Sequence, residues 1–500
     1  MSELARMAVS AFAPALFLVP GWALTRGVDG LASRPSRTAR VAWAWLAGAA
    51  WTGAAGFAGS LLFRVALNRT AFVVIGLLPA LGAAIAWLAR GAARLAARRP
   101  GAGGPRRESL ALAAWAGLVF LSLLLEAATA PASDFDGRMT WGPLARHIRA
   151  ERSVLPAALT DGTCYISHPQ YPPLVPLLRV ALEETLDSPA DERCSRPLYA
   201  WFFPVFVLVL FDSAKQLAGR RAALAAAFGA TLLGPLTFGS NGGPAGTYSD
   251  FPLGLFVGGA TAIGLLGRGA FGSSAISGLL LGAAVLSKNE GLPLAAASAL
   301  LIAVRHWKGA GRLVSWLARA AGPAAGASMA ALLLSTWRAR IPNRFDEDYV
   351  ASLLHLRSFG PSLDRLADGA GAIGRECLTL RGWWPLLACL AILVALKPSG
   401  SRSPWLRPLL LLAAVAPLAG LAAYAVPGWP VRELVGSTWD RLLTQVSMPL
   451  LIVLALLVRP WMVRAGGGGT EEPSRRSRSA AGVALAGRGA ALLDTGSHSP

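Results

Sequence analysis

Lysine is nearly missing from this chain. Four occur in 500 residues (Lys215, Lys288, Lys308 and Lys397), and arginine and alanine stand in its place. That bias is typical of GC-rich genomes and points to a bacterium. Cysteine is as scarce: Cys164, Cys194, Cys377 and Cys389 show no CxxC or Cys/His spacing that would hold a metal. Charged residues are also few, at 15% against 54% hydrophobic, and mean hydropathy is +0.50. A soluble globular chain is excluded. Short alternating segments are lacking, which excludes a transmembrane β-barrel. No basic face carries interleaved aromatics, so the net charge of +20 does not read as nucleic-acid binding. No internal repeat is visible, which weighs against an inverted-repeat transporter.

What the chain has instead is a series of apolar runs. They lie near 8–24, 41–63, 71–88, 110–130, 198–217, 222–238, 251–266, 275–286, 292–304, 313–337, 383–396, 406–426 and 442–458. These predict an all-α polytopic membrane protein of about thirteen transmembrane helices. The first run has no strong cleavage site after it and reads as a retained helix. Arginines fill the gaps between runs, most densely at Arg90, Arg94, Arg98, Arg99, Arg106 and Arg107. Such a link marks the cytoplasmic side. It puts two long loops, 133–197 and 338–382, on the extracytoplasmic face. Cys164 and Cys194 share the first, where a disulfide and two unpaired thiols are both open. The expected division is 1–108 as extra N-terminal helices, 109–461 as the main membrane core, and 462–500 as a disordered cytoplasmic tail.

The polar residues concentrate at a few places. The first loop opens DFDGRMTWGPLARHIR, where Trp141, Leu144, Ala145 and Ile148 recur at helical spacing opposite Arg146, Arg149 and Arg152. That pattern predicts an amphipathic interfacial helix, and a second is predicted after Pro361. Asp134 and Asp136 precede the first helix. A carboxylate there can serve as a general base for a hydroxyl, or simply cap the helix, with Asp136 as the cap. The loop returns through HPQYPPLVP at 168–176, whose prolines stiffen the backbone and whose His168 and Tyr171 are placed to touch a substrate. Two runs are too short to cross alone, and the turn SKNEG at 287–291 joins them. Lys288 and Glu290 in that turn either pair with each other or with an Asp, or meet a lipid phosphate. Arg441, in STWDRLLTQ at 437–445, either snorkels to headgroups or clamps a phosphate.

Taken together, these pieces resemble the GT-C superfamily of membrane glycosyltransferases that use polyprenyl-phosphate sugars. The likeness is to the bacterial branch related to protein mannosyltransferases and aminoarabinose transferases. Asp136 with Trp141 and Ala145-Arg146 carries it, then HPQYPPLVPLL, SKNEG and STWDRLLTQ, over about residues 110–458. Many relatives place the acidic loop directly after the first helix, whereas here three spans precede that helix, and no lysine stands near Leu144.

The resemblance implies a hexosyl- or pentosyltransferase in the bacterial cytoplasmic membrane, active at its extracytoplasmic face. The donor would be a polyprenyl-phosphate sugar and the acceptor a glycan, lipid or protein. Asp136, with Asp134 second, would be the base in an inverting transfer. Lys288, Arg441, and Arg138 or His168 would meet the leaving phosphate, with Trp141, Tyr171 and Glu290 also in the substrate site. No metal is demanded, though one at Asp134/Asp136 is left open. The rival readings are a flippase for a lipid-linked sugar and a glycan ligase or polymerase of the same architecture.

Overall fold

The computed structural model describes residues 3–26, 37–90, 107–161, 166–187, 193, 195–239, 241–267, 270–307, 313–342, 359–378, 382–396, 403–424 and 430–464. Cys164, Cys194, most of the arginine-rich link before Arg107 and the tail from Gly466 lie outside them, as does the side chain of Cys377.

The described residues are helical and contain no strand. In chain order the helices are α1 Glu3–Phe12, α2 Leu18–Arg26, α3 Arg37–Phe63, α4 Arg69–Arg90, α5 Arg107–Thr129, α6 Gly142–Glu151 and α7 Ala157–Thr160. Then come α8 Leu174–Thr185, α9 Pro197–Ala218, α10 Arg220–Leu232, α11 Gly234–Thr237, α12 Asp250–Leu266, α13 Ala270–Val285 and α14 Gly291–Trp307. The last are α15 Leu313–Arg338, α16 Phe359–Leu378, α17 Trp384–Ala395, α18 Leu406–Tyr424, α19 Val431–Gln445 and α20 Ser447–Arg464. A 3-10 segment, Ala13–Phe17, joins α1 to α2, and a π-turn, Gly137–Trp141, leads into α6.

Each predicted apolar run has a helix in it. Helix is the expected state, because a spanning segment must satisfy its backbone groups internally. Five helices among the described residues are long and apolar enough to cross a membrane alone: Met7–Thr25, Thr38–Phe63, Glu108–Thr129, Pro197–Ala218 and Leu313–Arg338. Val431–Gln445 and Ser447–Val463, bent by 59° at the break between them, make a sixth if taken as one span. The remaining apolar helices are shorter, α13 and α14 among them, as the SKNEG turn requires.

The chain through Arg459 forms one compact unit. At its centre is α12, buried on every side from Asp250 to Leu265, which is how a helix apolar all round behaves in a large core. Small residues let neighbours approach it. A side chain at Gly254 would strike the carbonyls of Thr444 and Gln445, so α12 and α19 touch backbone to backbone there.

The first loop differs from expectation. Inside it lies α8, whose residues Leu174 to Glu183 are all buried. The apolar face of α6 (Leu144, Ala145, Ile148) is covered by protein, with α8 its main neighbour, rather than lying free on a lipid surface. Periodicity revealed the amphipathic face, but not what would cover it. Arg149, on the polar side, bonds Glu184 at 3.1 Å and approaches Glu183 at 3.7 Å, while Arg146 and Arg152 remain exposed. The N-terminal helices brace this loop: α3 and α4 pack on α8, and Ser60 accepts the Val154 N–H at 3.2 Å. In the second loop, α16 packs through Gly369 and Ala372 against α18 and α19, leaving Leu363, Ala367 and Ala370 exposed.

Candidate functional site

Asp134, Phe135 and Asp136 alternate in, out, in. Both carboxylates are buried while Phe135 is 60% exposed. The two aspartates then separate in role. Asp134 Oδ2 accepts the Gly137 N–H at 2.9 Å and the Thr247 hydroxyl at 2.7 Å, and its Oδ1 accepts the Thr247 N–H at 3.2 Å. The helix-capping role falls to Asp134. Asp136 makes no side-chain cap and points instead to Arg441, whose guanidinium donates to Oδ2 at 2.6 Å.

Glycine at 137 is required by contact. A Cβ there would lie 1.7 Å from Thr247 Oγ1 and 2.2 Å from Asp134 Oδ2. Gly137→Ala should therefore push the turn off the 241–249 segment, destabilising the protein by about 1–3 kcal/mol, the usual cost of overpacking. A thermal unfolding midpoint equal to wild type would refute that local picture.

Arg441 also reaches Asp250, its Nε donating to Oδ2 at 3.1 Å, and lies 4.4 Å over the Tyr248 ring. Asp250 is completely buried. Its Oδ1 accepts Lys288 Nζ at 2.7 Å and Gln445 Nε2 at 2.6 Å, and it opens α12, where the helix dipole favours a carboxylate. Lys288 turns to Glu290 as well, at 3.1 Å. The result is a chain of charges, Asp136–Arg441–Asp250–Lys288–Glu290, in which three carboxylates share two cations. Burial pushes the Tyr248 phenol up to about 12; Asp136 and Asp134 push the same way and Arg441 opposes them. Tyr248 is thus a neutral hydroxyl at physiological pH.

The aromatic residues stand beside this chain. His168 stacks on Tyr171 with ring centres 4.5 Å apart, and Tyr171 lies 5.4 Å from Trp141. The indole N–H of Trp141 is buried with no hydrogen-bond partner among the described residues. Arg338, at the end of α15, ties two motifs together by donating to the Gln170 carbonyl at 3.1 Å and bonding the Asn289 side chain. The Leu174 N–H reaches the Leu286 carbonyl at 2.9 Å, and the Ser167 N–H the Met139 carbonyl at 3.1 Å.

Of the residues singled out from sequence, Asp134, Asp136, Trp141, His168, Tyr171, Lys288, Glu290 and Arg441 converge on one end of the bundle. Arg138 does not join them: it is exposed and makes no ion pair among the described residues. Lys288 follows its blander reading, pairing with an Asp and with Glu290 at once. Arg441 is buried rather than snorkelling outward.

Sequence reading passed over Asp250, Thr247, Tyr248, Gln445 and Arg338. Asp250 could have been found, since an acid directly against the apolar run 251–266 is an ionisable group at a membrane helix end. Among the described residues no group of three or more His, Cys, Asp or Glu side chains is placed to hold a metal ion. Comparison with protein-family models and with curated proteins returns no match.

Proposed function

We propose that this chain is a glycosyltransferase of GT-C type. It moves a sugar from a polyprenyl-phosphate donor to a glycan, lipid or protein acceptor, at the extracytoplasmic face of a bacterial cytoplasmic membrane. In this reading the shorter apolar helices complete about thirteen spans, and the site faces outward because the arginine-rich links stay inside.

One observation carries the reading: Asp136, from the first loop, meets Arg441, 305 residues later, at 2.6 Å. A candidate base and a candidate phosphate-binding cation are thereby adjacent, and Asp250 links them to Lys288 in the turn between the short helices α13 and α14. In the transfer, Asp136 takes the proton of an acceptor hydroxyl. The freed oxygen bonds the anomeric carbon from the face opposite the phosphate, the carbon–phosphate-oxygen bond breaks, and polyprenyl phosphate leaves with the electron pair. Configuration inverts. Arg441 and Lys288 stabilise the phosphate as its charge grows, in surroundings where such interactions are strong. His168, Tyr171 and Trp141 form the aromatic wall against which the sugar or acceptor rests. Asp134 and Arg338 hold the loops in place.

The test is conversion of a labelled polyprenyl-phosphate sugar in membranes containing the protein. Consumption of donor with appearance of a glycosylated acceptor is expected. If a panel of donors only changes leaflet and is never consumed, the activity is that of a flippase and the proposal fails.

A further inference from the structure

We infer that Arg441 is handed from one anion to another during the reaction: Asp136 holds it before the proton moves, and the leaving phosphate takes it as Asp136 becomes protonated. The inference rests on the glycosyl-transfer reading and adds to it the order of charge movement.

The two ends of the guanidinium are held differently. The Nε end is fixed on Asp250, which is itself locked by Lys288 and Gln445 and sits at the start of a wholly buried helix. The stem is fixed too, because Gly242, with φ of 88°, lets the backbone come so close that a Cβ there would lie 2.9 Å from Arg441 Cγ. Of the two terminal nitrogens, Nη2 bonds Asp136, the residue that precedes the π-turn of the first loop. An arginine has five N–H donors in a rigid fork, so it can keep Asp250 and change its other partner.

Charge balance says when the change occurs. Within that chain three carboxylates already share two cations, and the neighbouring Arg338 is engaged with the Gln170 carbonyl and the Asn289 side chain, so a further full negative charge is best met when one of these cations changes partner. The reaction supplies one. The acceptor proton neutralises Asp136 while the donor phosphodiester, with one negative charge, becomes a phosphomonoester that can carry two. Negative charge disappears at Asp136 as it appears on the phosphate, and Arg441 follows it. The contact is stronger at the transition state than before it, and so accelerates the chemical step rather than only binding the donor.

Asp136→Asn mimics the protonated aspartate, and this gives a result opposite to that of an ordinary binding-site lesion. The full chain is purified in detergent and titrated with undecaprenyl phosphate. Asp136→Asn should bind it on the order of tenfold more tightly than wild type, the size of a typical coupling between sites. Asp136→Ser, also neutral, should do the same, and unfolding midpoints confirm that each variant is folded. Arg441→Gln should bind more weakly, and adding Asp136→Asn to it should give no further gain, because the competition acts through Arg441. Equal or weaker binding by both neutral variants, with wild type binding, overturns the handover and leaves the donor reading intact. The same gain in the Arg441→Gln background also overturns it, since the effect would then be one of general field. If wild type does not bind undecaprenyl phosphate at all, the donor reading fails and the handover with it.

Discussion

Asp136→Asn is expected to lower sugar transfer by about 10²–10⁴-fold, the usual worth of a positioned general base, while the protein still folds and inserts. The substitution keeps the shape of the side chain, and its amide oxygen can still accept from Arg441. Arg441 keeps Asp250 in any case. What is lost is the capacity to take a proton. Asp134→Asn should behave differently. Its oxygens accept three hydrogen bonds from Gly137 and Thr247, and an amide nitrogen placed there would oppose one or two of those donors. The cost should be about 1–3 kcal/mol of stability, with activity falling as the loop shifts. Steady-state transfer rates and unfolding midpoints on both variants separate the roles. An active, stable Asp136→Asn beside a stable but inactive Asp134→Asn would reverse the assignment.

The difference between these neighbours shows what a sequence can and cannot say about such a site. DFD displays two acids in a row of three, and its position after an apolar run marks it as unusual. Which acid caps the turn and which faces Arg441 depends on Thr247, more than a hundred residues away. The helices were legible because each apolar run must form one to satisfy its backbone in lipid. The burial of α6 under α8 was not, because an amphipathic face looks the same whether protein or lipid covers it. Lys288 stood out as the lysine away from the arginine-rich links. Its partner Asp250 did not, because reading the span from Phe251 cut off the residue that opens the helix. Arg338 was lost in the same way, as the residue after a span, where an arginine usually needs no explanation.

Asp250 carries the second large effect. Asp250→Asn should destabilise the protein by about 3–5 kcal/mol, because removing one member of a buried ionic network leaves its partners charged and short of a counter-ion. Lys288 would keep only Glu290, whose side chain is 26% exposed, and Arg441 only Asp136. Gln445 would face an amide that can still accept, so its loss is smaller. Asp250→Glu should not restore the wild type. The site is fully enclosed, Gly254 one turn further on already lets α19 touch α12, and an added methylene has nowhere to go. Pairing Asp250→Asn with Lys288→Met should recover part of the loss, since the double variant no longer buries an under-compensated ammonium, and the non-additivity should reach 0.5–3 kcal/mol, as for directly contacting residues. Thermal unfolding of the four proteins in one detergent measures this. If Asp250→Asn melts with wild type, Asp250 is not the anchor of the charge chain, and Arg441 must be held by its stem, Tyr248 and Asp136.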